Sequence, residues 1–392
     1  MFNKAQKFQI QLPISQWAIV FSFFSLFILG LADNIRGPLF PEVLKYFNLN
    51  HTMGSWSFAT TSMAAFISSY LTVLLLKKIS LSQLLFLAVL MMSASLVMIG
   101  MAYNFTFFLI GCYVLGTSIG FMAVAQNLLI TENIEADQRS RALSGLHAMY
   151  GLASFAAPLL ASTSANLTGS WRAAFFITAL VCLVYCLSQL VFISENKVNL
   201  NKITTNKEER SVPKIPLYAL ATVGGLFAFY VVAEILIGTR LALYMRTQFN
   251  MNLSESSRYV TFFFMFLLAG RLLFALKKIN LPLKFQLNAS LISSVILLGL
   301  GLKFHPFILT LVGLTMAPFY PLSVSYISDL TGIEARRFIT FAMALQSLSV
   351  VAMHLGVGYL TDHLGIFYAF SIGIFALIFS LLCLNIHPKK LY

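Results

Sequence analysis

Charge is what this 392-residue sequence has least of: 10% of its residues are Asp, Glu, Lys or Arg, against about 25% in an ordinary soluble domain. So few polar side chains cannot clothe a water-facing globule, which excludes a soluble two-domain enzyme of this length. Cysteine is scarce too. Cys112, Cys182, Cys186 and Cys383 all lie in apolar runs, so no disulfide framework is predicted and the thiols read as packing groups. Most familiar catalytic motifs are missing as well. Without a Gly-x4-Gly-Lys-Ser/Thr loop, ATP-driven transport is not expected. Without His-Glu-x2-His or Cys-x2-Cys, neither is a metalloprotease or a metal cluster. Gly116-Thr-Ser118-Ile-Gly120 has the Gly-x-Ser-x-Gly spacing but lies inside an apolar run of membrane length and not at a strand-to-helix turn, so a hydrolase is not expected either. The sequence predicts no enzyme, no metal and no cofactor.

What is abundant is apolar: 59% of the residues, including 37 Phe. A bilayer's hydrocarbon core takes about 20 apolar residues per helix. On that ruler the chain gives twelve runs, at 16–40, 55–76, 81–102, 106–130, 142–164, 172–193, 216–244, 257–276, 282–302, 306–329, 338–361 and 366–386. An all-α membrane protein is predicted. Between the sixth and seventh runs lies a polar, Pro-containing stretch, 194–215, which reads as a linker joining a bundle at 1–193 to a second at 216–392. Seventeen of the 26 Lys and Arg fall in segments on the side of the N-terminus. That bias predicts a cytoplasmic (inner) membrane protein with both termini in the cytoplasm. It also accounts for the net charge of +13 without nucleic acid, for which no recognition motif is present.

The chain repeats itself. Leu75-Leu-Lys-Lys-Ile-Ser-Leu81 recurs as Ala275-Leu-Lys-Lys-Ile-Asn-Leu281, 200 residues on, and Ile134-Glu-Ala136 recurs as Ile333-Glu-Ala335, 199 on. Asp33 has an acidic counterpart 201 residues later in Glu234, and Phe47-Asn48 has one 202 later in Phe249-Asn250. Two six-helix halves in one orientation imply a twofold axis along the membrane normal, with a cavity between the halves.

The layout resembles the major facilitator superfamily over the whole chain. The six-plus-six arrangement, the basic central loop and the paired Lys-Lys turns carry the resemblance. So do Gly169-Ser-Trp171-Arg172-Ala-Ala-Phe175 and Gly358-Tyr-Leu-Thr-Asp362-His-Leu-Gly365. The resemblance implies two pseudo-symmetric bundles working as a secondary transporter by alternating access. The chain departs from the family after the second run, where an Asp and several Arg around glycines are usual and Leu76-Lys77-Lys78-Ile79-Ser80 stands instead. Within the family, Tyr230-Val-Val-Ala-Glu234-Ile-Leu-Ile-Gly238 with Tyr244 is similar to the seventh helix of fucose-permease-like proton symporters. Ala153-Ser-Phe-Ala-Ala157-Pro158-Leu-Leu-Ala161-Ser162 resembles the fifth-helix motif of drug/proton exporters, with Ala or Ser at each glycine place.

A charge in hydrocarbon costs about 2.5–3.5 kcal/mol on insertion scales, so an intramembrane ionisable residue faces inward and has a task. Asp33 and Glu234 are predicted at similar depth across the axis, where a carboxyl shielded from water can take up and release a proton. They are the predicted proton-coupling pair. Arg36, one helical turn from Asp33, either pairs with it locally or holds an anionic or hydroxyl-rich substrate. Asn34, Gln126, Asn127, His147, Tyr150, Tyr230, Gln346 and His354 complete the predicted substrate-binding set, each weighed against plain helix packing. Arg240, six residues beyond Glu234, is expected to snorkel toward the outer interface. Glu132 with Arg139 and Arg141, and Asp329 with Arg336, Arg337 and Arg271, form mirrored clusters predicted to gate the inner side.

The expected activity is proton-coupled uptake of a small polar organic solute. Two alternatives stand beside it: efflux of a drug- or siderophore-like compound, and a non-transporting sensor on the same fold. The expected partners are substrate, proton and bilayer, and the chain is expected to work as a monomer.

Overall fold

The computed structural model describes residues 14–134, 139–193, 216–276 and 280–386, and among them the only regular structure is helical. The helices are α1 (Ile14–Asn34), α2 (Arg36–Phe47), α3 (His51–Leu75), α4 (Leu81–Met101), α5 (Phe105–Asn133), α6 (Arg139–Thr168) and α7 (Ala173–Ile193). A second set follows: α8 (Leu217–Phe249), α9 (Leu253–Leu276), α10 (Leu283–Lys303), α11 (Ile308–Met316), α12 (Phe319–Thr331), α13 (Ala335–Leu364) and α14 (Ile366–Ile386). Eleven stretches are long and apolar enough to cross a membrane, with α1–α2 and α11–α12 each forming one broken span. The 30-residue α6, richer in Ser and Thr, is long enough but less apolar and is not among those eleven. Each of the twelve predicted runs has a helix or broken helix at its place, with ends shifted by up to seven residues. The predicted linker at 194–215 lies outside the described residues.

Both breaks have proline as their cause. Pro38 has no N–H to give the carbonyl of Asn34, and α1 stops there, turning at Ile35 into α2. Pro318 separates α11 from α12, and the hydroxyl of Tyr230 donates to the carbonyl of Met316 at that break, 2.7 Å away. Non-helical backbone at membrane depth needs such a partner, since lipid offers none.

The predicted repeat has a structural counterpart at one turn. Asn48 ends α2 and Asn250 ends α8, both in the left-handed conformation (φ 51° and 53°), which Asn tolerates. Two residues on, Asn50 accepts from the Met53 N–H and Asn252 from the Glu255 N–H, starting α3 and α9. Phe-Asn-x-Asn thus ends one helix and caps the next in both halves.

Two apolar cores result. One gathers α1–α7 around Ile28, Met92, Cys112 and Phe175. The other gathers α8–α14 around Leu236, Phe263, Val312 and Phe370, and takes Phe40, Leu44 and Phe58 from the first half. Those three apolar side chains mark where the halves are pressed together. We call the end where α1 begins and α14 ends the near face, and the opposite end the far face.

Toward the far face the halves interlock. Gly37 of α2 lies so close to α8 that a Cβ there would stand 2.9 Å from the carbonyl oxygen of Gly238. On Gly358 of α13 a Cβ would be 2.4 Å from Ser55 Oγ of α3. Glycine lets these backbones meet, and that closeness brings polar groups within reach across the seam.

Candidate functional site

At the α1–α2 break, Asp33 and Arg36 form a close ion pair. The break is what lets Arg36 fold back: its Nε donates to the Asp33 carbonyl at 3.3 Å, a group that continuous helix would have occupied. Its Nη1 donates to Thr61 Oγ1 of α3 at 2.8 Å. Tyr150 of α6 donates its hydroxyl to Asp33 Oδ2 at 3.0 Å, and Asn34 Nδ2 donates to Ser154 Oγ at 3.1 Å. Asp33 is therefore held by a cation and a phenol, and its side chain keeps 29% of its surface exposed. Arg36 is pinned locally, the blander of its two predicted roles, though it stays inside the bundle.

The second half answers with Glu234. Arg271 of α9 donates through Nη2 to Glu234 Oε1 at 3.2 Å, with side-chain exposures of 30% and 18%. This corrects the predicted gate, in which Arg271 joined Asp329: Asp329 is exposed and Arg271 is held by the carboxylate deeper in the bundle. Tyr150 stands within electrostatic range of both Asp33 and Glu234, and His147, one turn before it, within range of Arg271. Two carboxylate–arginine pairs, one from each half, thus converge on the face of α6 that carries Tyr150. His147 is exposed.

Other predicted binding residues are bound up in the fold. Gln126 is 1% exposed and accepts from Ser25 Oγ at 2.9 Å, tying α5 to α1. Asn127 donates to the Ala123 carbonyl of its own helix. Tyr230 is fully buried, stacked 3.9 Å from Phe319 with its hydroxyl spent on Met316. Gln346 is half-buried, with its Oε1 unpaired. His354 is 2% exposed and stacks on Phe58 at 5.0 Å across the seam.

Of the predicted gating residues, Arg337 pairs with Glu334 at 2.9 Å on the first turn of α13. The side chains of Glu132, Arg139, Arg141 and Arg336 lie outside the described residues.

Arg240 is the largest correction. It does not snorkel. Its guanidinium is 1% exposed, lies over Phe40 (4.3 Å) and Phe58 (4.5 Å) of the other half, and donates to Ser55 Oγ at 3.0 Å. Six residues past Glu234 is indeed another face of α8, but that face meets the partner bundle and not lipid.

Two seam contacts escaped the sequence reading. Asp362, at the far end of α13, accepts from the N–H groups of His51 (2.8 Å) and Thr52 (2.7 Å) and from Thr52 Oγ1 (2.6 Å). It caps α3 from the other half. Glu42 of α2 pairs with Arg246 of α8 at 2.5 Å, beside a cavity of about 480 Å³ that Trp171, Asn166 and Asn252 also line. Only the Gly358–Gly365 motif hinted at Asp362, and nothing in the sequence signalled Glu42.

Comparison with known proteins agrees with this architecture. The sequence matches the Major Facilitator Superfamily over residues 22–340, and the chain belongs to that family. It is 22% identical over 363 residues to a protein TsgA homolog of Buchnera aphidicola subsp. Baizongia pistaciae (strain Bp), covering 89% of each chain. Among solved structures, a bacterial homolog of the human lysosomal transporter Spinster superposes with a TM-score of 0.75 at 9% identity, over 96% of this chain and 97% of that one. A D-xylose–proton symporter does so at 0.71 and 12%, over 93% and 97%. The peptide transporter POT gives 0.74 and 14%, over 95% and 94%. At these identities the likeness establishes the fold: this is a multi-pass, all-α membrane protein of the transporter type.

Proposed function

We propose that this member of the superfamily is a proton-coupled transporter that carries a small polar organic solute into the cell across the cytoplasmic membrane. One observation carries the reading: Asp33–Arg36 and Glu234–Arg271 bring a carboxylate–arginine pair from each half to the face of α6 that holds Tyr150. A proton arriving on either carboxylate releases its arginine, and a freed guanidinium repels or recruits whatever lies between the bundles. Protonation therefore changes the balance between the two arrangements of the halves, which is what coupling requires.

In this reading the near face is cytoplasmic, as the lysine and arginine bias of the sequence supports. The far-face seam of Asp362, Arg240 and the Glu42–Arg246 pair is then the outer gate, shut. The bundles 1–193 and 216–392 rock about the seam between them.

The test is Glu234→Gln in proteoliposomes. Gradient-driven accumulation should be lost while exchange of substrate across the membrane persists. Full accumulation by this variant removes Glu234 from coupling. Direction is read separately, from whether cells lacking the protein lose a metabolite or build one up.

A further inference from the structure

Four arginines stand within the helices around the seam, and three have a carboxylate: Arg36 has Asp33, Arg271 has Glu234 and Arg246 has Glu42. Arg240 has none among the described residues. It is the most buried of them at 1% exposure, and its Nη1 has no hydrogen-bond partner. A guanidinium removed from water costs several kcal/mol unless it is paired. Two aromatic faces return part of that, and Ser55 accepts one bond. The positive charge itself stays uncompensated. Arg36 lies over the same Phe58 ring, at 5.1 Å, so two guanidinium groups share this region with the single carboxylate of Asp33.

A second buried group is left over beside it. His354 of α13, 2% exposed, stacks on Phe58, and its Nδ1 has no partner. Arg240 and His354 thus come from two helices of the second half and share one ring of the first half. Both are covered because α2 and α3 are pressed on α8 and α13. Any opening of the far face parts these helices and presents Arg240 Nη1 and His354 Nδ1 to the solution outside, with Phe40 and Phe58 as apolar walls.

We propose that Arg240, with His354 beside it, takes the negatively charged group of the transported solute when the far face is open, and that the substrate is therefore a small organic anion, a carboxylate or a phosphate ester. Resealing then exchanges anion for rings. The guanidinium trades its ion pair for the faces of Phe40 and Phe58, and the anion is freed toward the carboxylate–arginine pairs deeper in the bundle. A side chain that needs both partners in turn explains why its resting place has two aromatic faces and no acid. This rests on the transport reading above and gives it a substrate class.

The experiment compares the small-molecule content of cells that lack the protein with cells making it as wild type, Arg240→Lys or Arg240→Gln, at equal abundance in the membrane. The probe is the cell's own metabolite pool, separated by anion exchange, with carboxylates and phosphate esters distinguished by mass. The compound whose level depends on the wild type is expected to be an anion at pH 7. Arg240→Gln is expected to shrink that difference by about tenfold or more, the loss of a charged hydrogen bond, while Arg240→Lys keeps part of it. A dependent compound that is neutral or cationic overturns the proposal, as does an anion whose level Arg240→Gln leaves alone. The compound's charge is read from the wild type, so the test stands even where Arg240→Gln fails to fold. A dependent neutral solute sinks this inference and spares transport; no dependent compound at all sinks transport as well.

Discussion

Replacing Asp362 with Asn tests the far-face seam at its simplest point. The carboxylate of Asp362 accepts three hydrogen bonds of 2.6–2.8 Å at the start of α3, so it is a helix cap supplied by the opposite half. Loss of an N-cap costs about 1 kcal/mol, and loss of a negative charge at a helix N-terminus about 0.3–1 kcal/mol more. Asn keeps one acceptor oxygen, and the site is exposed to solvent, which screens the charge. The net effect is therefore about 1 kcal/mol, and it falls entirely on the closed arrangement, because the contact exists only while α3 and α13 touch. That magnitude moves the ratio of open to closed molecules by about fivefold. Spin labels at Tyr103 and Phe304, exposed positions on far-face loops of the two halves, would report the change as a distance by electron resonance. The background would lack Cys112, Cys182, Cys186 and Cys383. The longer-distance population should grow in Asp362→Asn. An unchanged distribution in a folded variant would refute the idea that this cap holds the far face shut.

Other perturbations follow from single contacts. Gly358→Val places a side chain where even a Cβ lies 2.4 Å from Ser55 Oγ and 2.8 Å from the His51 carbonyl, so the same labels should again move apart. A shorter or unaltered distance would show that this crossing is slack. Tyr230→Phe removes the hydroxyl that serves the Met316 carbonyl at the α11–α12 break and should lower stability by about 1 kcal/mol; thermal unfolding of the purified protein measures it. Tyr150→Phe deletes the 3.0 Å bond to Asp33 and leaves the packing shape intact, so proton-driven uptake should slow while the melting temperature barely shifts. Equal losses in both would assign Tyr150 to the scaffold.

Much of the candidate site was visible before any coordinates, and the reason is energetic. Asp33 and Glu234 stand out because a carboxyl in an apolar run is expensive, so its presence alone is a signal. Tyr150 was reachable by helical spacing from His147. Asp362 and Glu42 carry no such signal, since each sits near a helix end close to water where charge is cheap. Their partners are distant in the chain: Asp362 caps a helix 310 residues away and Glu42 meets Arg246. Arg240 gave the same alarm as Glu234 and was misread, because periodicity gives the angle between two residues on a helix and not which angle faces lipid. The same limit applies to Gln126, Tyr230 and His354, whose depth was legible and whose hydrogen bonds were not.

Sequence alone determined that this protein lives in a bilayer as a multi-pass, all-α chain, and it carries an internal repeat some two hundred residues apart. Hydrophobic run length, proline placement and repeated Phe-Asn-x-Asn turns are local properties, set by the cost of unpaired backbone and of charge in lipid. Tertiary structure decided which arginine meets which acid and leaves Arg240 without one. It also decided which helix faces close the far side, because those choices depend on how bundles coded some two hundred residues apart come to rest against each other.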